Sequence, residues 1–398
     1  MNTKARREEG IVAIPPDPSN GIVNLMGSVI EGLGGASCSA PPIKALSPEE
    51  IRDYRQILLL VVDGLGMTPL TALSPNGVLA RSLRSKMTSV FPSTTATAIT
   101  SLMSGLYPVE HGLTGWHMYF RELGTILAVL PGKPRYGGVP WGPSGVDVKR
   151  LLSLPTVFDH VKTPSTLLMP RYIAESPFNR ALRGSAGVVS YTGLPDFFER
   201  LAEGIHANSG RHYHYGYWSE FDHIAHTHGS LSPEAQNHLH AFEAGFEVFL
   251  SKIEGSSTLV VVTADHGFID HDPALVTSLW DYPEIEASLS LPLSGEARAA
   301  YAYVKSGQEG SFERHVTNLL GNRLDLYRST DLLARGWFGF GREHPKFLDR
   351  IGDYVLVPKG RGIVRDRVFG EKKTEMVGYH GGIHPDEMWV PMIVCGTQ

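Results

Sequence analysis

Four short segments of the 398-residue chain carry acids and imidazoles at spacings a metal ion could use. Asp63 follows an apolar run. Asp222 and His226 are four residues apart, which on a helix places both side chains on one face. Asp265 and His266 are adjacent, and His380 stands in the run GYHGG with His384 close behind. Carboxylate and imidazole ligands without thiolate suit a catalytic zinc or similar divalent ion better than a structural site. Taken singly each segment is ordinary, since a lone His is more often a hydrogen-bonded structural residue than a ligand. A fifth segment adds a different chemistry. Residues 91–97, FPSTTAT, lead into a small-residue helix that ends at Ser104-Gly105. A Ser/Thr cluster after Pro is common N-cap material. A hydroxyl at a helix N-terminus also faces free backbone N–H groups and the positive end of the dipole, a place that suits phosphate. With a divalent ion beside it, such a hydroxyl has the layout for nucleophilic phosphoryl transfer.

These residues can act together only if the fold brings them to one place. Residues 56–62, QILLLVV, are continuously apolar and precede Asp63-Gly64, and residues 258–263, TLVVVT, precede Ala264-Asp265-His266-Gly267. Runs apolar on both faces belong in the centre of a parallel sheet covered by helices. In open α/β sheets ligands sit beyond the carboxyl ends of the strands, so these two ends can meet. A third strand is expected over 213–218, leading into Glu220, Phe221 and Asp222. Helices are expected over 95–103 and 233–253, the second opened by Ser232 as N-cap. The fold class that follows is α/β, with a mostly parallel central sheet covered by helices on both faces. Residues 1–49 read as an N-terminal extension packed on the core. Residues 50–398 read as a single catalytic domain, with insertions at about 117–190 and 273–350 that form a cap, the second carrying a strand candidate over 299–305. Residues 21–33, GIVNLMGSVIEGL, have helical apolar spacing but no Lys or Arg on the face, so a packed helix is expected there, not a membrane anchor.

Composition excludes several classes. With 42% hydrophobic and 19% charged residues the chain is no disordered polymer. Lys+Arg 36 against Asp+Glu 41 gives a formal charge of −5, without the basic field of a nucleic-acid binder. Two cysteines, Cys38 and Cys395, cannot build a disulfide framework or a Cys-based zinc site; they read as reduced thiols, and a cytoplasmic location is expected. No apolar core follows the basic start MNTKARREEG, and the longest apolar run falls far short of the roughly 20 residues that span a bilayer, so neither a targeting segment nor a membrane partner is expected.

In chain order, VVDGLG, FPSTTATAITSLMSGLYPVEHGLTGW, DHIAH, TADHG and GYHGG resemble the alkaline phosphatase superfamily, and within it the type I phosphodiesterase/nucleotide pyrophosphatase branch. The resemblance implies an alkaline phosphatase-like fold and hydrolysis of phosphodiester or nucleotide pyrophosphate bonds, with a small phosphate ester or nucleotide as substrate. It also implies two divalent metal ions, zinc being the expected metal. By motif, Asp63, Thr95, Asp265 and His266 would surround one ion, and Asp222, His226 and His380 would hold the other. Thr95, third after the Pro, is in the family's nucleophile register, ahead of Ser93 and Thr94. Its in-line attack would give a covalent phospho-threonine, released by water in a second displacement with net retention at phosphorus. His384 is the runner-up to His380. A phosphomonoesterase or phosphonate hydrolase on the same scaffold is the alternative. A binding module that has lost catalysis is disfavoured, because every implied ligand and the hydroxyl are present.

The match has departures. In that branch an Asn after the HG motif contacts a phosphoryl oxygen, whereas here the position holds Trp116, followed by His117. Trp116 or Tyr119 stacking on a substrate group and plain packing under the insertion weigh equally. No Arg is assignable to phosphate, and no third, magnesium-type site is found. The near-neighbour pairs His212/His214 and His238/His240 read as exposed or hydrogen-bonded, and His111 as structural. Nothing selects His271 or Asp272. Tyr213, Tyr215 and Tyr217 alternate on one strand face and read as core. Residues 371–373 read as a solvated loop.

Overall fold

The strand Gln56–Val62 is buried along its whole length and lies between two parallel neighbours, which is why it can be apolar on both faces. Val62 stands opposite Trp218 of strand His212–Trp218, and Val61 opposite Thr263 of strand Thr258–Thr263. The structure, a computed structural model, describes residues 13–36, 39–369, 371 and 375–397. Around this trio a seven-stranded sheet forms in the order Leu83–Thr88, Trp389–Thr397, Thr258–Thr263, Gln56–Val62, His212–Trp218, Ser165–Pro170, Gly187–Tyr191. Trp389–Thr397 runs antiparallel to both its neighbours, while the other strand pairs are parallel. Helices flank the sheet in two groups. Gly193–Ala207 packs on Pro233–Lys252 in one group, and Ile22–Gly32 on Thr95–Ser104 in the other. Ser232 caps its helix as expected, accepting from the Ala235 N–H at 3.1 Å.

Helix Ile22–Gly32 is the packed helix expected for residues 21–33, with only Glu31 reaching the surface. Helix Thr95–Ser104, against which it packs, is buried at every residue, and seven of its ten residues are Thr, Ala or Ser, which lets its neighbours approach closely. Among the described residues no helix is long and apolar enough to cross a membrane.

The two expected insertions differ from their sequence reading in one respect. Strands Ser165–Pro170 and Gly187–Tyr191 fall inside the segment 117–190, yet they extend the central sheet. Gly and Pro nearby hid them, and both strands lie at the sheet's edge side, where apolar runs are short. The remainder of that segment joins the second one. Strands His117–Phe120, Thr125–Ala128 and Lys133–Pro134 continue a separate antiparallel sheet with Ser294–Glu296, Ala299–Ala302, Leu324–Arg328 and Tyr354–Pro358. The seam is the pairing of His117 with Gly295. Cys38, the basic start and Lys372–Lys373 lie outside the described residues, and Cys395 is a half-buried free thiol on the last strand.

Candidate active site

Three adjacent parallel strands end together, and each delivers an acid. Asp63 directly follows Gln56–Val62, Asp265 lies two residues past Thr258–Thr263, and Asp222 sits in the first turn of helix Glu220–His228, just beyond His212–Trp218. The turns after the first two strands approach most closely at glycines. A methyl at Gly267 would lie 2.0 Å from the Asp386 carbonyl oxygen, and one at Gly66 would lie 2.5 Å from the Gly267 Cα. Asp265 ties the same turns together by accepting the N–H groups of Gly64 and His266, both at 3.0 Å.

Seven sequence-expected side chains converge there. Around His266 Nε2 stand Thr95 Oγ1 at 3.1 Å, Asp63 Oδ1 at 3.4 Å and Asp265 Oδ2 at 3.5 Å. In the second set His226 Nε2 lies 3.4 Å from Asp222 Oδ1 and 3.2 Å from His380 Nε2, with His380 Nε2 to Asp222 Oδ1 at 3.7 Å. His266 Nε2 is also 4.0 Å from Asp222 Oδ1, so that imidazole stands between the sets. Tetrahedral N and O ligands held at about 2.0–2.1 Å from zinc are about 3.3–3.4 Å from one another, close to these spacings.

The hydrogen bonding of the imidazoles points the same way. Nδ1 of His266 meets the Gly267 carbonyl at 3.1 Å, Nδ1 of His226 the Gly378 carbonyl at 2.9 Å, and Nδ1 of His380 the Ser93 carbonyl at 3.2 Å. Each carbonyl accepts, so each Nδ1 carries the proton and each Nε2 presents a lone pair. Two such lone pairs, on His226 and His380, then face one another at 3.2 Å. A cation between them removes that conflict. Three buried carboxylate oxygens, Asp63 Oδ1, Asp222 Oδ1 and Asp265 Oδ2, are without any hydrogen-bond partner in the same cluster. Unpaired buried carboxylate is costly unless it meets a cation. Burial, reinforced by Asp265 and Asp222, holds Asp63 well above the ordinary carboxylate range, and burial beside His266 and His226 holds His380 well below the ordinary imidazole range. The donor set fits divalent metal.

The other hydroxyls and imidazoles are used elsewhere. Ser93 Oγ donates to the Gly382 carbonyl at 2.8 Å, and the buried Thr94 hydroxyl has no hydrogen-bond partner, so of the three only Thr95 meets the cluster. His384 caps the short helix Pro385–Met388, accepting the Asp386 N–H on Nδ1 at 3.1 Å. His212 pairs with Thr166, His214 with Gln56 and His238 with Trp218, while His240 reaches the Leu73 carbonyl. His111 is held between Ser101 and the Leu113 N–H. Tyr119 packs edge-on against Tyr303 with centroids 5.3 Å apart, so it is a packing residue.

Several residues escaped sequence reasoning. Tyr217 is more than core: its hydroxyl donates to Asp63 Oδ2. Its one signal was position, at the end of the strand that leads to Asp222. A cleft of about 710 Å³ opens over Thr95, Asp222, His226 and His380, walled by Trp116, Glu296, Arg135, Trp280, Arg365 and Arg367 among others. Trp116, 37% exposed, faces this cleft, and its N–H donates to Glu296 Oε1 at 2.6 Å. Arg135 is spoken for by Asp366 and Glu371, whereas Arg365 and Arg367 lie over the Trp280 ring at 5.5 and 5.7 Å. Trp116 closes the motif VEHGLTGW, but no motif marks the others: Glu296 ends a strand of the antiparallel sheet, and Arg365 ends a strand that pairs in parallel with Val276–Ser278.

The sequence model of the type I phosphodiesterase/nucleotide pyrophosphatase family matches residues 57–383. Solved structures share the fold. Human ectonucleotide pyrophosphatase/phosphodiesterase 5 aligns with a TM-score of 0.66 at 16% identity, over 85% of this chain and 87% of that one. An inactive variant of the murine protein in complex with AMP gives 0.61 at 16% identity, over 85% and 87%. Phosphonoacetate hydrolase from Sinorhizobium meliloti in complex with phosphonoformate gives 0.62 at 18% identity, over 86% and 90%. No curated protein sequence matches.

Proposed function

Because the chain belongs to the type I phosphodiesterase/nucleotide pyrophosphatase family, we propose that it hydrolyses phosphodiester or nucleotide pyrophosphate bonds through a covalent phospho-threonine on Thr95. It is a phosphoric-ester hydrolase of a metal-dependent family. The observation that carries the finer reading is the Thr95 hydroxyl among unpaired carboxylate oxygens and imidazole lone pairs. Asp63, Thr95, Asp265 and His266 would hold one divalent ion, and Asp222, His226 and His380 a second, with His266 near enough to both to serve either and with zinc matching the nitrogen–oxygen donor set. When bound, such ions supply Lewis acidity, lowering the pKa of a ligated oxygen and neutralising charge on the phosphoryl group.

The residues do the rest. Thr95 opens helix Thr95–Ser104, so its hydroxyl attacks from a position where first-turn N–H groups and the helix dipole favour the phosphoryl oxygens. Its Oγ1–phosphorus bond forms in line as the bond to the leaving oxygen breaks, and water then displaces Thr95 to release the product. Two inversions give net retention. The backbone carbonyls on the three Nδ1 atoms keep each Nε2 unprotonated and aimed inward. Tyr217 fixes Asp63 by hydrogen bonding its outer oxygen. A cleft of about 710 Å³ suits a nucleotide-sized ester and leaves much of it empty around a bare phosphate.

Rates on bis-(p-nitrophenyl) phosphate, p-nitrophenyl phosphate, a nucleotide p-nitrophenyl ester and phosphonoacetate, before and after chelation with zinc add-back, test this reading. The expected outcome is diester turnover lost on chelation and restored by zinc. Turnover indifferent to thorough metal removal overturns the mechanism, and a strong monoester or phosphonate preference overturns the substrate assignment.

A further inference from the structure

We propose that Glu296 is a specificity-determining residue that makes the cleft a diester site, by setting a carboxyl group against the side of the bound phosphoryl group that the Asp/His cluster does not cover. The inference rests on the function proposed above and names the substrate charge that the same site accepts. Glu296 ends strand Ser294–Glu296, and the pairing of Gly295 with His117 brings it beside Trp116. Its Oε1 accepts the Trp116 N–H at 2.6 Å. The residue lines the cleft with Thr94, Thr95, Asp222, His226 and His380. Gly381, next to His380, approaches it so closely that a methyl there would lie 2.6 Å from the Glu296 Cβ, which holds the Glu296 stem against the His380 loop.

Among the described residues no Lys or Arg forms an ion pair with Glu296, and the nearby Arg135 is already held by Asp366 and Glu371. The carboxyl is therefore uncompensated on its own wall. Burial, with Asp222 and Glu387 adding negative charge, pushes it up to about 7, against the favourable contributions of the Thr94 hydroxyl and the Trp116 N–H, so the carboxyl is a full anion, and discriminates by charge, on the alkaline side of neutrality. Thr94 contributes by proximity, since its hydroxyl makes no hydrogen bond of ordinary geometry. During in-line attack three groups lie equatorial on phosphorus. In a diester one of them is an uncharged ester oxygen, and in a monoester dianion all three are ionised or partly so. Only the diester can turn a neutral oxygen toward Glu296, and like charges brought together at a desolvated site are strongly disfavoured.

The test compares wild type with Glu296→Gln, an isosteric change that keeps an acceptor for the Trp116 N–H. At about pH 9, where Glu296 is ionised, values of kcat/KM are measured for bis-(p-nitrophenyl) phosphate and p-nitrophenyl phosphate, and the affinity of the metal-loaded protein for inorganic phosphate is measured calorimetrically. We expect the monoester-to-diester ratio to rise about tenfold or more, chiefly through a lower monoester KM, with phosphate binding tightened by a similar factor. An unchanged ratio with unchanged phosphate affinity overturns the proposal, and so does an equal loss on both substrates, which marks a structural role. Glu296→Ala serves as the second variant if the amide folds poorly, with the same shift in ratio expected. Wild type that cleaves no diester defeats the function reading, yet the phosphate titration still decides whether Glu296 repels the anion.

Discussion

Thr95 is one of three consecutive hydroxyl residues, and their environments separate them. Ser93 is bonded to the Gly382 carbonyl, Thr94 is buried without a partner, and Thr95 Oγ1 meets His266 Nε2 at 3.1 Å. Replacing Thr95 by Ala should therefore lower diester turnover by about 10³-fold or more while six of the seven ligands remain. The check is a kinetic assay beside elemental analysis, with zinc content expected to stay close to wild type. Full activity in Thr95→Ala would move the nucleophile to Thr94 or Ser93. The imidazoles and carboxylates that converge at the site were legible because their spacings and strand-end positions carry meaning on their own. Tyr217 was not, because an alternating Tyr face looks like core until this residue, next to last in its strand, is seen to donate to Asp63. Glu296 was invisible for a different reason: its partner is the backbone of Trp116, 180 residues away.

At the level of elements, the site depends on two turns that meet closely at glycines. Gly66 and Gly267 allow the turns after Gln56–Val62 and Thr258–Thr263 to lie against one another and against the Asp386 carbonyl. A methyl at Gly267 would sit 2.0 Å from that oxygen, and backbone cannot yield as a side chain can. Gly267→Ala should cost roughly 1–3 kcal/mol and displace His266, weakening metal binding. Urea midpoints and zinc titration measure the two effects separately. Wild-type zinc affinity in Gly267→Ala would show that the turns can part without moving His266. The glycines stood in the motifs VVDGLG and TADHG, so their presence was legible, but the contact between them was not. Strands Ser165–Pro170 and Gly187–Tyr191 were missed among Gly and Pro, since an edge-side strand needs fewer consecutive apolar residues than a central one.

For the molecule as a whole, buried neutral histidines make stability depend on pH. Burial pushes His111 down to about 3, helped by His344 and Arg350, and burial beside His212 pushes His214 down to about 3. A folded-state pKa below the unfolded value means that the unfolded chain binds more protons as acid is added. The stability from these groups is therefore fully present above about pH 6.5 and is lost as pH falls toward about 3. For His111, which is completely buried, the loss is on the order of 4–5 kcal/mol at most. Urea midpoints should fall steeply between about pH 6 and 4, and the slope should be shallower in His111→Gln, whose baseline stability is lower. An identical slope in that variant would mean that His111 does not titrate on unfolding. His111 read as structural from its turn; its two fixed hydrogen bonds explain how it stays neutral.

The central strands, the acids and imidazoles that follow them, and the hydroxyl cluster at a helix start are readable in the chain itself. Those features are local: an apolar run, a spacing of four, or a Pro before Ser and Thr carries its physical meaning within a few residues. Tertiary structure alone decided which lone pairs face which carboxylates, that Thr95 and not its neighbours meets His266, and that two distant segments share one sheet over the cleft. Those outcomes depend on contacts between residues far apart in the chain, such as Trp116 with Glu296, and no local pattern encodes a distance across the fold.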